Sequence, residues 1–107
     1  MKKIIPALLF FLTFSGVSMA VTTMGAYPCG KWVKDRSNHD WAALADESKL
    51  AGYLSGIASA SRKDFLRNTD SDSLFLWVDN YCQENPLDNL YDAGNKLSRE
   101  LIRKNSL

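Results

Sequence analysis

The strongest hydrophobic pattern in the chain lies in residues 72–86, DSLFLWVDNYCQENP. Its apolar positions follow the i, i+3, i+4, i+7, i+8 spacing of one face of an α-helix. They are Leu74, Trp77, Val78, Tyr81 and Cys82. Ser71 or Asp72 can cap the first turn, and Asn85-Pro86 ends the helix because proline disfavours the α conformation in the residue before it. The pattern predicts a helix with one buried face.

Helical patterns also cover three other segments. Residues 29–36 predict one or two turns with Trp32 and Val33 packed inward, and residues 41 to about 61 predict a long helix. Asn85-Pro86 is interpreted as the N-cap and first position of a last helix. The predicted apolar stripes are Trp41, Leu44, Leu50, Tyr53, Leu54 and Ile57 in the long helix, and Leu87, Leu90, Tyr91, Gly94, Leu97 and Leu101 in the last one. Because no convincing alternating β pattern occurs, the predicted fold is all-α, a small bundle of about four helices.

The first 20 residues have the features of a secretory signal peptide. Lys2 and Lys3 precede an apolar run, residues 4–14, that is too short to span a membrane, and Ser18-Met19-Ala20 places small residues at the cleavage positions. Cleavage is expected after Ala20, leaving one all-α domain over residues 21–107 and no lipidated cysteine. The MKK start is typical of bacteria, so a periplasmic location is expected.

Charge and cysteine content narrow the interpretation further. The chain has 13 Lys and Arg and 12 Asp and Glu. This mixed, nearly neutral composition argues against nucleic acid or a membrane surface as the main partner. Its two cysteines are Cys29 and Cys82. A small exported domain commonly needs a cross-link, so a disulfide is expected, worth about 4 kcal/mol of denatured-state entropy; a free reactive thiol is the alternative.

Small residues recur every four positions in the long helix, at Gly52, Gly56 and Ala60. A glycine inside a helix costs about 1 kcal/mol relative to alanine, so close approach of another helix is expected to compensate. Close packing within the chain is one explanation, and the face of a homodimer or another partner is the other. The membrane form of this motif does not apply, because charged residues lie in the same helix.

The connection at residues 62–71, RKDFLRNTDS, joins two long predicted helices. Loops on a rigid scaffold often carry recognition, and an aromatic residue beside Arg and Lys is typical of an interface anchor. The candidate partner-binding residues are Lys63, Asp64, Phe65 and Arg67. The alternative is that Phe65 and Leu66 fold back as a lid on the core.

Residues suited to catalysis or metal binding are sparse. The single histidine, His39, lies in a polar break and is interpreted as a solvated or capping residue. Asn68, Asp70 and Asp72 resemble part of a calcium loop but lack its glycine and distal glutamate, so capping of the next helix is expected instead. No cofactor, metal or enzymatic activity is expected, and the chain is interpreted as a binding protein.

The order of short motifs resembles one known family. Cys29-Gly30-Lys31-Trp32 is followed by GYLSG at residues 52–56, WVDNYC at 77–82, Asn85-Pro86-Leu87, and a closing helix with Arg99-Glu100-Leu101. Over roughly residues 29–101 this arrangement resembles the Rap/Tai family of periplasmic immunity proteins associated with type VI secretion. The resemblance implies a disulfide-stapled helical protein, often dimeric, that blocks the substrate cleft of a peptidoglycan amidase effector.

The resulting hypothesis is an amidase inhibitor in which residues 62–71 occupy the effector's active-site groove, with Phe65 as the apolar anchor. A periplasmic acid-stress chaperone is the main alternative, and it would open at low pH and expose apolar surface. A small cell-wall hydrolase is disfavoured because the chain lacks an evident nucleophile and base.

Overall fold

A computed structural model describes residues 27–107, so the expectations for the signal peptide and for residues 21–26 lie outside the described part. Its helices are α1 (Cys29–Asn38), α2 (Trp41–Ser61), α3 (Ser71–Glu84) and α4 (Leu90–Lys104). Within these residues the β interactions amount to one isolated bridge between Pro28 and Asn89. The all-α prediction is confirmed. No helix of residues 27–107 is long and apolar enough to cross a membrane.

Side-chain caps begin three of the helices. The capping residues are Asp40 for α2, Asp70 for α3 and Asn89 for α4. Asp70 accepts from the backbone N–H of Ser73 at 2.7 Å and therefore caps α3, as expected for this acid. The helix thus begins earlier than a cap at Ser71 or Asp72 predicts. In α4 the Asn89 side chain accepts from the N–H of Asp92, whose carboxylate accepts from the N–H of Asn89, which completes a capping box.

The last helix begins later than the Asn85-Pro86 signal predicts. Residues 85–89 form a turn instead, in which the Asp88 N–H donates to the Asn85 carbonyl at 3.1 Å. The N–H of Leu90 then donates to the Tyr27 carbonyl at 2.7 Å, so this segment pairs with the start of α1 before α4 begins. Leu87, predicted in the apolar stripe of the helix, is consequently 99% exposed.

The four helices pack around one core. Helix α1 packs on α2 and α3, and α4 packs on the same two helices, which places α1 diagonally opposite α4 and α2 diagonally opposite α3. The largest buried side chains are Trp32, Phe65, Leu50, Leu54, Leu90, Leu97 and Val78. A disulfide joins Cys29, the first residue of α1, to Cys82 in α3, which confirms the predicted pairing.

A charged network holds α1, α2 and α3 together beside this core. The Asp79 carboxylate accepts from the Trp32 indole N–H at 2.8 Å and from two nitrogens of Arg36 at 2.9 and 2.7 Å. A third nitrogen of Arg36 donates to Glu47 at 2.8 Å. Because Arg36 meets a helix on either side of α1, the short first helix is fixed against both neighbours.

Candidate functional site

The connection between α2 and α3 is only partly the exposed recognition loop that the sequence predicts. Phe65 is 0% exposed and belongs to the core. Burial of a phenylalanine side chain stabilises a fold by about 1.5–3 kcal/mol, and the turn closed by the Phe65 N–H and the Lys63 carbonyl directs the ring inward. The role of Phe65 as an apolar anchor on the surface is therefore wrong for this conformation, and the lid alternative describes it.

The polar neighbours of Phe65 do lie at the surface. Lys63, Asp64 and Arg67 are exposed, and Arg67 Nε lies 3.0 Å from Asp64 Oδ2. An exposed pair of this kind contributes little to stability, so both side chains are available to a partner. Partner binding by these three residues stays a prediction. Its test should leave Phe65 in place, because truncating that ring would open a cavity in the core.

The small-residue stripe of α2 has no helix against it. Gly52, Gly56 and Ala60 are exposed, and a Cβ added at Gly52 or Gly56 would meet nothing within 4 Å. Close packing within the chain is therefore a wrong explanation of this stripe, and a homodimer or partner face stays a prediction. The close approach lies in α4 instead, where a Cβ at Gly94 would be 2.9 Å from Cδ2 of Tyr53.

Alanine substitution should change the free energy of unfolding in opposite directions at these two kinds of glycine. Gly56→Ala should raise the free energy of unfolding by about 1 kcal/mol, since helix propensity improves and nothing is displaced. Gly94→Ala should lower it, because overpacking costs about 1–3 kcal/mol and the Tyr53 hydroxyl is held by Asn95 at 2.7 Å. Urea unfolding of both variants measures the difference. A loss of stability in Gly56→Ala would indicate that another molecule covers the stripe.

An apolar surface that the sequence analysis missed lies at the start of α2, and we call Trp41 and Leu44 together the Trp41 ledge. Trp41 is 83% exposed and Leu44 is 52% exposed. They border a hollow of about 450 Å³ whose wall includes His39, Asp40 and Glu47. Both residues were predicted on the buried stripe, and that prediction is wrong. The buried positions of α2 are Ala43, Asp46, Leu50 and Leu54. Leu50 and Leu54 are buried as predicted, so the buried face differs from the prediction only in the first two turns.

The end of α1 and the cap of α2 shape the backbone around the Trp41 ledge. His39 ends α1 in the left-handed conformation, with φ 55°, and Asp40 caps α2 by accepting from the Ala42 N–H at 3.0 Å. Glu47 is held by Arg36. The ledge is therefore presented on the junction of two helices, so little ordering of the backbone would be needed on binding.

A buried carboxyl pair lies between α1 and α2. Asp46 is 0% exposed and neither of its carboxyl oxygens has a hydrogen-bond donor, while Asp35 is 7% exposed and lies 2.5 Å from Lys31 Nζ. Desolvation, followed by the nearby Asp35, raises the pKa of Asp46 to about 7. The adjacent Asp46 carboxyl, followed by the Lys31 ammonium, lowers the pKa of Asp35. The spacing of Asp46 from Ala43 and Leu50 could have identified it as inward-facing, but its polarity concealed it.

Within residues 27–107 no group of three or more His, Cys, Asp or Glu is placed to hold a metal ion. Comparison of the chain with protein-family models, with curated proteins and with solved structures gives no match. The surfaces described above and the order of the sequence motifs therefore carry the information about function.

Proposed function

We propose that the protein is a periplasmic immunity protein that binds a peptidoglycan amidase effector and blocks its active-site cleft, with Trp41 as the apolar anchor. The observation that carries the proposal is the 83% exposure of Trp41 at the capped start of α2. Tryptophan is enriched among the residues that supply most of the energy of protein interfaces. A tryptophan left in water forgoes the burial of a large apolar surface, which a partner can recover.

Two further features support an exported binding protein. The Cys29–Cys82 disulfide belongs to an oxidising compartment, which is where a cell-wall amidase acts and where its inhibitor must wait. The scaffold is cross-linked and capped at three helix starts, so it is organised before binding. Preorganisation lowers the entropy lost on association and favours a tight inhibitor.

The Trp41 ledge and the loop at residues 62–71 are competing centres for this contact. They lie at opposite ends of α2, which has 21 residues and therefore measures about 30 Å. A standard interface covers about 800 Å² on each partner, a patch about 32 Å across. Because binding energy concentrates near the centre of such a patch, one of the two surfaces can dominate but not both.

Binding to candidate peptidoglycan amidases, including any that an adjacent open reading frame encodes, decides between them. Trp41→Ala should weaken the affinity at least 30-fold, about 2 kcal/mol, whereas Leu87→Ala, at a leucine that is 99% exposed, should leave it unchanged. Biolayer interferometry measures affinity, and rescue from lysis in periplasmic co-expression measures protection.

The same experiment separates the possible failures. Unchanged affinity in Trp41→Ala, with a loss in the triple variant Lys63→Ala, Asp64→Ala, Arg67→Ala, would move the contact to the loop. Failure of the unaltered protein to bind or protect against any adjacent amidase would refute the immunity proposal itself. Release of muropeptides by the purified protein would instead favour a hydrolase.

A further inference from the structure

A groove runs between α3 and α4, on the side of the bundle opposite α1 and α2. It consists of two hollows of about 500 and 420 Å³, and Trp77 and Glu100 line both. Along α4 it extends from Lys96 to Asn105. This stretch measures about 14 Å, the length of about four residues of an extended chain or two and a half turns of a helix. The groove can therefore hold a short peptide segment.

The floor and one wall of the groove are apolar and preformed. Leu97 is buried, and Leu74 and Leu101 are half-buried beside it. The Trp77 ring stacks on the Tyr81 ring, with centroids 5.5 Å apart and planes within 9°. The Tyr81 hydroxyl donates to the Asp88 carboxylate, which holds the Tyr81 ring in position under Trp77. An apolar side chain entering the groove would meet a surface that already has its bound shape.

The rim of the groove is basic, although the chain as a whole is nearly neutral. Of the 13 Lys and Arg residues in the chain, five line the groove, against two of the 12 Asp and Glu residues. The five cations are Arg67, Lys96, Arg99, Arg103 and Lys104. Positive charge is thus concentrated on one surface, and the rest of the molecule carries the excess of acid.

Both acids of the groove are already engaged, and so are three of its five cations, since Arg67 pairs with Asp64, Arg103 pairs with Glu100, and Lys96 lies 5.9 Å from the centroid of the Tyr81 ring. Glu100 accepts from Arg103 at 2.6 Å, and Asp70 accepts from the N–H and hydroxyl of Ser73 at the start of α3. Neither Arg99 nor Lys104 forms an ion pair within residues 27–107. These cations are therefore available to carboxylates of a ligand.

We propose that the α3–α4 groove binds a short acidic segment of a partner protein that carries an apolar anchor, seated against Trp77 between Arg99 and Lys104. The apolar floor recognises the anchor, and the basic rim selects acidic neighbours and repels basic ones. A membrane surface fits less well, since the cations surround a concave apolar floor. This surface is separate from the Trp41 ledge, and its test does not involve the amidase.

The test uses a fluorescein-labelled peptide of about ten residues, with a central leucine–tryptophan pair flanked by glutamates, at ionic strengths of about 0.05 and 0.5 M. Anisotropy with the purified, disulfide-bonded protein should show binding that weakens at the higher ionic strength. A peptide with lysine in place of glutamate should not bind. A peptide with serine in place of the apolar pair should bind at least tenfold more weakly.

Two charge-matched variants assign the binding to the groove. Arg99→Glu should weaken it at least tenfold, whereas Lys34→Glu, at an exposed cation of α1 outside the groove, should leave it within twofold. No binding of the acidic peptide at 1 mM, equal binding of the lysine peptide, or equal affinity in the two variants would overturn the proposal. Arg99-dependent binding to phosphatidylglycerol vesicles without binding to the peptide would replace it with a lipid surface.

Discussion

Removal of the Cys29–Cys82 disulfide should lower the free energy of unfolding by about 4 kcal/mol. The two cysteines are 53 residues apart, and the chain-entropy relation assigns about this much to a loop of that length. A domain of this size has only about 5–15 kcal/mol in total, so the loss removes a large share of its stability. The measurement is urea unfolding of the oxidised protein and of a Cys29→Ala, Cys82→Ala double variant, compared by midpoint and slope.

Alanine is the better replacement here because both cysteines are buried, at 0% and 1% exposure, and a serine hydroxyl would lack a partner. Adding a reductant supplies the control. It should destabilise the unaltered protein to the level of the double variant and leave the variant unchanged. A difference below about 1 kcal/mol between oxidised and reduced protein would contradict the chain-entropy account.

The expected residual structure after reduction follows from the contacts that remain. The N–H of Cys29 still donates to the Asp88 carbonyl at 2.8 Å, and the N–H of Leu90 donates to the Tyr27 carbonyl. These bonds join the start of α1 to the turn before α4 without any sulfur. The Arg36–Asp79 ion pair continues to join α1 to α3. The reduced protein should therefore keep its fold while losing stability.

Sequence patterns predict the helices well because each helix has an apolar period and three of the four begin at a polar capping residue. The stripe through Trp77, Val78 and Cys82 faces the core as expected, although only Val78 and Cys82 are buried fully. The two cysteines could be paired from the expectation that a small exported domain needs a cross-link. The observed helix boundaries differ from the predicted ones where tertiary contacts override the local signal. The start of α4 is the example, because the turn after Pro86 pairs with the chain before α1.

The surfaces were harder to predict, and the start of α2 shows why. Two helical stripes were available there, one through Trp41 and Leu44 and one through Ala43 and Asp46. Hydrophobicity favours the first stripe, but the packing of α1 on α2 buries the second. A single chain gives no measure of which neighbour a helix will meet. Phe65 presented the same problem, since an aromatic residue in a connection can face either the core or a partner.

The stability of the protein should fall as pH rises from 5 to 8, because of Asp46. The folded-state pKa of this carboxyl is about 7, against an ordinary value of 3.8. Between these values the folded protein holds a proton that the unfolded chain has lost, and each pH unit costs the folded state about 1.4 kcal/mol. Above pH 7 the Asp46 carboxyl is ionised in both states, and the total loss in the free energy of unfolding levels off at about 4 kcal/mol.

The charges that face Asp46 oppose one another. Desolvation and the neighbouring Asp35 raise its pKa, whereas Lys31 from α1 and Lys49 from α2 lower it. Asp35 has the opposite effect on stability. Because its folded-state pKa is lowered, its ionised form stabilises the fold, and this contribution is lost as pH falls below the usual carboxyl range. The stability maximum should therefore lie at mildly acidic pH.

Urea unfolding at pH 5, 6, 7 and 8 checks this expectation. The unaltered protein should lose about 3 kcal/mol over the range, whereas Asp46→Asn should show a flat profile, since its amide can donate to Asp35 without titrating. Glu84→Gln, at an exposed acid of α3, should keep the full slope. A flat profile in the unaltered protein, or an unchanged slope in Asp46→Asn, would refute the assignment to Asp46.

The sign of this profile also bears on function. An acid-stress chaperone has to lose its folded structure as the pH falls, which requires groups that bind protons more tightly after unfolding. Asp46 does the reverse, because the folded state binds its proton more tightly than the unfolded chain. If stability rises from pH 8 to pH 5 as expected, mild acid will hold α1 against α2 more firmly. The protein would then keep the Trp41 ledge in one conformation between pH 8 and pH 5, and an acid-opened chaperone would have to open below this range, where the contribution of Asp35 is lost.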